Sequence, residues 1–291
     1  MKNIVVTGGS GKAGHAVVCE LVERGYRVLN VDLVPPPQAL CHFLKADLND
    51  LGQAVDALRR AVGTVGRRRP FELADAVIHL AGIPAPGLAP DATTFQNNLM
   101  TTYNVFSAAT LLGLRRVVWA SSETLFGLPF TREQPAFAPI TEAHPTLPEN
   151  GYALAKGLAE EMARQMHRWN PGTSFLGLRI SNIIDPAEYG MFAAWQSDPN
   201  VRKWNLWSYI DSRDVARACR LAVEAAGIGA DHCLIAAADT VMSRPSRDLM
   251  AECFPQVPLV GDVAGFASLQ SSRKAERLIG YVPQCSWRTQ C

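Results

Sequence analysis

Short apolar runs alternate with helix-like stretches through the first two thirds of the chain, and this alternation narrows the possible folds more than any other feature. "NIVVTG" (3–8), "YRVLNVDL" (26–33), a run near Cys41–Lys45, "DAVIHLAG" (75–82), "RRVVWASS" (115–122) and "SFLGLRIS" (174–181) have the length and β-branched content of strands. Helical patterns lie between them at 13–24, 50–62, 93–112 and 151–168. That order predicts an α/β fold, a doubly wound parallel sheet with helices on both faces. The runs are continuously apolar, as strands covered on both sides must be. After Asn182 the rhythm loosens. Residues 185–207 are rich in loop formers and aromatics, 208–226 reads as a strand and a helix, 232–239 as a further strand, and 246–253 and 271–279 as short helices.

The charge balance excludes several partners. Lys plus Arg number 28 against 27 Asp plus Glu, a net charge of +1, which argues against nucleic acid. The run Arg67-Arg68-Arg69 is the local exception and reads as a solvated loop between helix and strand. Seven cysteines occur with no C-x-x-C spacing, which points to a reducing compartment rather than to disulfides or zinc. The histidines show no metal spacing either, so no metal is expected. No apolar stretch reaches the roughly 18 residues that a membrane span needs. A strand-like run starting at Asn3 leaves no room for a signal peptide. A soluble cytoplasmic protein is expected.

The first strand runs into Gly8-Gly9-Ser10-Gly11-Lys12-Ala13-Gly14, with Gly8, Gly11 and Gly14 spaced three apart. A glycine turn between a strand and a helix lets backbone amides approach a pyrophosphate, which the positive end of the helix then attracts. Asp32 ends the second strand, 18 residues after Gly14. A carboxylate there can accept hydrogen bonds from an adenosine ribose and would repel a 2′-phosphate, which favours NAD over NADP. Lys12, inside the turn, could soften that preference, and Asp32 could instead cap a turn before Pro35. Farther on, Tyr152 and Lys156 sit four apart in a helical stretch, on one face. A free phenol, with a pKa of about 10, is a poor base near neutrality, and a neighbouring cation lowers that value. A tyrosine tuned in this way could exchange a proton with an alcohol or a ketone. Surface decoration is the plainer alternative for the pair.

Together, Thr7-Gly8-x-x-Gly11-x-x-Gly14, Asp32, Asp47-Leu48, His79-Leu80-Ala81-Gly82, Asn98, Ser121-Ser122 and Tyr152-x-x-x-Lys156, in this order, resemble the extended short-chain dehydrogenase/reductases, the NAD-dependent epimerase/dehydratase group. The match covers 3–182 and continues more loosely through 208–218. The resemblance implies a Rossmann-type NAD-binding core over 1–182. The remaining 183–291 would be mainly a substrate-binding region, with 208–239 returning to the core sheet of a single unit. It implies cofactor contacts from Gly8, Ser10, Gly11, Lys12, Ala13, Gly14, Asp32, Asp47, Leu48, Leu80, Ala81, Gly82, Asn98, Tyr152 and Lys156. Asn98 would also brace the active-site helix. Ser122 would hydrogen-bond the reacting oxygen, Tyr152 would be the acid/base, and Lys156 would bind the nicotinamide ribose and hold the phenol's pKa down. His79 reads as a packing residue.

The resemblance also bounds the reaction. Dehydratases of the group typically carry Thr-Asp-Glu where this chain has Ser122-Glu123-Thr124, so water elimination is not expected. Phe126 stands where many epimerases have Tyr. The region after 182 is short for a nucleotide-sugar cradle, and relatives of this size include uronate dehydrogenases. Glu123, Asn182, Arg202 and Arg213 are the expected substrate contacts, with Trp204 and Trp207 as stacking surfaces or as core residues. Asp214 reads as a helix cap or first-turn acid. The leading expectation is NAD-dependent oxidation of a sugar-derived or similarly hydroxylated small molecule. The alternative is a nucleotide-sugar 4-epimerase that retains NAD, and a non-enzymatic dinucleotide sensor is the third reading. Helices 93–112 and 151–168 match those that pair between subunits in this family, so a homodimer is expected.

Overall fold

The computed structural model describes residues 2–59 and 73–289. The Arg67–Arg69 run and the end of the helix expected over 50–62 lie outside the described residues. The main sheet takes β1 (Asn3–Thr7), β2 (Arg27–Asp32), β3 (His42–Lys45), β4 (Ala76–His79), β5 (Arg116–Ser122), β6 (Ser174–Ile180) and β9 (Ala230–Ile235). Their order is β3-β2-β1-β4-β5-β6-β9, and every pairing is parallel. A separate two-strand pair joins β7 (Ile183–Ile184) to β8 (Ile210–Asp211). This is the Rossmann arrangement, and the strand order reverses between β1 and β4, where a crevice opens at the strands' C-terminal ends.

Among the described residues the α-helices are α1 (Lys12–Glu23), α2 (Leu51–Arg59), α3 (Asp91–Leu111), α4 (Gly151–Trp169), α5 (Ser212–Glu224), α6 (Ser246–Cys253) and α7 (Arg273–Ile279). α1 and α5 pack on one face, where Val17, Leu21, Val215 and Cys219 meet Ile4, Val6 and Ile78 of the strands. α2, α3 and α4 cover the other, where Ala57, Phe106, Ala159 and Ala163 meet Val5, Val77 and Trp119. Ile4, Val5 and Val6 are all 0% exposed, so successive side chains of one strand feed both cores. Each such burial contributes about 1.5–3 kcal/mol. A third core, around Phe126, Phe192, Trp207, Tyr209, Met250 and Phe254, holds the C-terminal segments together.

Helix α3 starts at Asp91, two residues before the expected 93. The reason is a tertiary contact: both Asp91 carboxylate oxygens accept from the Gly151 amide at 2.9 Å. Asn150 caps α4 through a 2.9 Å bond from the Ala153 amide. These two bonds fix the first turn of α4, and with it Tyr152.

Candidate active site

A cavity of about 930 Å³ lies along the C-terminal ends of β1, β4, β5 and β6. Gly8, Ser10, Gly11, Lys12, Ala13 and Gly14 form one wall, and Asp32, Asp47, Leu48, Leu80, Ala81 and Gly82 continue it. Ser122, Glu123, Tyr152, Lys156, Asn182 and Trp204 lie in the same lining. The glycines are structurally required. A Cβ on Gly14 would sit 2.0 Å from the Gly8 carbonyl oxygen, and one on Gly8 would sit 2.6 Å from the Ala81 amide nitrogen. Gly8 also has φ +73°, a conformation costly for any side chain. Asp32 sits on the rim, where Oδ2 accepts from the Ser10 amide at 3.0 Å and Oδ1 from the Leu33 amide at 2.7 Å. The first turn of α1 carries no acidic side chain, so its amides keep their positive field. This turn, rim carboxylate and helix end fit a dinucleotide.

Asn98 is not in the lining. It is buried, accepts from the Ile83 amide at 2.7 Å and donates to the Ile83 carbonyl at 2.9 Å. It therefore braces the loop after β4, which is the cavity wall, rather than α4. Its neighbours Asn97 and Thr101 take the lining positions.

Ser122 ends β5, and its hydroxyl accepts from the Thr124 amide at 3.1 Å and hydrogen-bonds the Tyr152 phenol. Burial pushes that phenol up to about 12; the bond from Ser122 opposes the shift and the Glu123 charge adds to it. The expectation that Lys156 sets the phenol's affinity therefore needs correction. The ammonium lies 5.5 Å from the ring centroid and donates to the Ala120 carbonyl at 2.6 Å, so desolvation of the phenol outweighs it. Burial in turn pulls Lys156 down to about 8. Ser121 anchors the strand end from the other side by donating to Glu160 Oε1 at 2.7 Å, and Glu160 holds Arg179 in a two-pronged pair at 2.8 and 2.7 Å. His79 packs between Thr7 and Thr102 and is held neutral, pulled down to about 3 by burial and then by Lys156.

The C-terminal residues divide. Glu123 is buried, and burial raises its pKa against three donors: Gln270 at 2.6 Å, Ser181 at 2.8 Å and Asn205 at 3.2 Å. Arg202 is 7% exposed and outside the lining. Its guanidinium lies between the Trp195 and Trp204 rings at 4.7 and 4.8 Å and donates to Asn182 Oδ1 and to the Ser208 carbonyl. Arg213, also outside the lining, grips buried Asp211, which accepts the Tyr189 hydroxyl as well. Trp207 is 0% exposed and donates to the Pro199 carbonyl, whereas Trp204 reaches the cavity. Among the described residues, no group of three His, Cys, Asp or Glu side chains is placed to hold a metal ion.

Sequence reasoning passed over Asn30, which is buried in β2 and donates to Ser10 Oγ at 3.1 Å beneath the glycine turn. The signal was there: an amide in the middle of the apolar run "VLNVD". It also passed over Leu128, Pro129 and the 83–86 loop, which line the cavity as apolar wall.

The family model described as NAD dependent epimerase/dehydratase family matches residues 4–236. The UDP-glucose 4-epimerase of Bacillus subtilis (strain 168) is 30% identical over 234 residues, 76% of this chain and 63% of that protein. A solved UDP-galactose 4-epimerase superposes with a TM-score of 0.67 at 26% identity, over 98% of this chain and 94% of that one. A short-chain dehydrogenase/reductase superfamily protein from Agrobacterium tumefaciens, solved with bound NAD, shares the fold with a TM-score of 0.71 at 23% identity, over 99% and 94% of the two chains. The chain spans about 63% of the length of the curated relatives it matches.

Proposed function

This chain belongs to the NAD-dependent epimerase/dehydratase family, and from that premise we propose that it oxidises a sugar-type carbinol and then reduces the resulting ketone from its other face, an epimerisation at that carbon. The observation that carries the reading is convergence: Ser122, Tyr152 and Lys156 meet in the cavity that the glycine turn walls. NAD, when bound, supplies the hydride acceptor. Ser122 would hydrogen-bond the reacting oxygen and Tyr152 would hold its proton at Oη. At about 12, the resting phenol is in its acid form, ready to protonate a ketone oxygen. Lys156 and the Ser122 bond favour the phenolate needed for the reverse transfer. Ser122, Tyr152 and Lys156 thus take the catalytic roles in this reading, with the glycine turn and Asp32 on the dinucleotide. The names of the relatives support return of the hydride over its release, and so the second of the two reactions expected from the sequence.

Net oxidation, the dehydrogenase reading, is favoured by one observation: Phe126, fully buried beside the site, stands where many epimerases have Tyr. Incubating the protein with NAD and a panel of free and nucleotide-linked sugars separates the two. Isomer interconversion without net NADH supports the epimerase, stoichiometric NADH the dehydrogenase, and neither product would remove both.

A homodimer forms part of the same reading. Met100, Tyr103 and Leu111 on α3 and Leu154, Leu158 and Trp169 on α4 are exposed apolar side chains on two helices that pack together. Light scattering that finds only monomer would remove it. No helix among the described residues is long and apolar enough to cross a membrane. Among the described residues Cys19, Cys41, Cys219, Cys233 and Cys253 form no disulfide, which supports a reducing, cytoplasmic setting.

A further inference from the structure

The buried side of α4 is smooth. Apart from Tyr152 and Met166, its buried residues are Gly151, Ala153, Ala155, Ala159 and Ala163. Packed helices resist sliding through ridges of side chains set into grooves, and a row of methyl groups makes a shallow ridge. Apolar packing therefore fixes α4 only weakly along its own axis. Tyr152 must nevertheless meet Ser122, which belongs to β5.

Directional bonds supply what packing does not. The Asp91 and Asn150 bonds hold the first turn of α4, but neither residue lies on β5. Among the described residues, two further side-chain bonds tie α4 to β5 just before Ser122. Lys156 donates to the Ala120 carbonyl, and Ser121 donates to Glu160 Oε1. Tyr152, Lys156 and Glu160 are spaced four apart and form one stripe of the helix. Glu160 reaches farther. Arg179 of β6 grips both of its oxygens, and Nδ1 of His232 on β9 lies 3.5 Å from Oε2. One carboxylate thus joins α4 to three successive strands of the sheet. Arg179 is 2% exposed and the Glu160 side chain 12%. Taking such a pair out of water is costly, and apolar side chains of similar volume often serve stability as well or better. Stability alone does not call for this pair, whereas a fixed register of helix on sheet does.

We infer that Glu160, gripped by Arg179, is a positioning residue that sets the axial register of α4 and so the approach of the Tyr152 hydroxyl to Ser122. The inference rests on the reading of Ser122 and Tyr152 as the catalytic groups. A slip smaller than the rise of about 1.5 Å per residue is enough, since about 1 Å of misplacement can cost about 10²-fold in rate.

The test is the paired variant Glu160→Leu with Arg179→Met in the full chain, which leaves neither member of the pair as an unmatched buried charge. Its crystal structure with NAD, compared with the wild type's, is expected to show the Tyr152 hydroxyl displaced from Ser122 by about 1 Å or more. With UDP-glucose and with free glucuronate as probes, kcat is expected to fall at least about 30-fold, while KM and NAD affinity stay within about threefold. A merely stabilising pair would leave kcat of the folded protein unchanged. An unmoved α4, or a kcat within about threefold of the wild type, would overturn the inference. Arg179→Lys is the milder second variant should the pair fail to fold. It replaces the two-pronged grip by a point contact, and kcat should fall about three- to tenfold at unchanged KM. An unchanged kcat there would count equally against the inference. If neither sugar reacts with the wild type, the displacement decides. If α4 shifts as expected but Tyr152→Phe reacts at the wild-type rate, the register role stands and the acid/base reading of Tyr152 is what fails.

Discussion

The cofactor side of the molecule and its substrate side are built by different rules. On the cofactor side the decisive contacts are short in sequence or join neighbouring strands of the sheet. Gly14 meets Gly8 in one turn, and Asp32 accepts from Ser10 across one strand–helix unit. On the substrate side, polar groups pair over long separations. Glu123 joins Gln270 across 147 positions and accepts from Asn205 across 82. A dinucleotide cradle is therefore a local object that a regular fold provides. A substrate pocket depends on buried side chains that must all be satisfied at once.

The sharpest way to break the cofactor side is Gly14→Ala. The added methyl would collide with the Gly8 carbonyl, so we expect NAD affinity to fall more than about 100-fold, measured by calorimetry, while the sheet stays folded. The matching break on the substrate side is Trp207→Ala. Its ring is fully buried in the third core, and its loss should cost about 3–5 kcal/mol in chemical denaturation. NAD affinity measured on the surviving folded fraction should stay within about threefold, because distant sites add nearly independently. If both variants lost NAD equally, the two sides would be one cooperative object.

A smaller effect sharpens the cofactor side. Asp32→Ala removes the rim carboxylate, and the preference for NAD over NADP should fall about tenfold or more in paired titrations. The smallest concerns pH. Lys156 is pulled from 10.5 down to about 8 by burial. Below 8 the group is charged in both folded and unfolded chains. Between about 8 and 10.5 the unfolded chain binds more protons, so this group makes stability rise with pH across that window. Comparing denaturation of the wild type and Lys156→Met from neutral to alkaline pH should show a wild-type gain on the order of 3 kcal/mol that the variant lacks.

The same contrast explains what could be read in advance. Strands such as Val117–Trp119 are buried on both faces, so their apolar run is written directly in the chain. The glycine turn, Asp32 and the Tyr152/Lys156 pair were legible because their spacing is their mechanism. Trp204 and Trp207 were not separable, since both are indoles in one aromatic string. Positive φ at Leu206 and Trp207, +57° and +55°, turns the chain there, and one ring enters the core while the other faces the cavity. Arg202 has the chemistry of an anion ligand, but two indoles and two oxygen acceptors claim it, a fact of packing rather than of pattern. The energetics of Tyr152 were hidden for a similar reason. A neighbouring lysine is visible in sequence, and the desolvation that outweighs it is not.

The most direct test is single-turnover appearance of reduced nicotinamide in NAD-saturated protein given a substrate sugar, wild type against Tyr152→Phe. Proton transfer through the Tyr152 hydroxyl predicts that the variant binds NAD normally and forms reduced nicotinamide about 10²–10⁴-fold more slowly. Equal rates in the two proteins would contradict it.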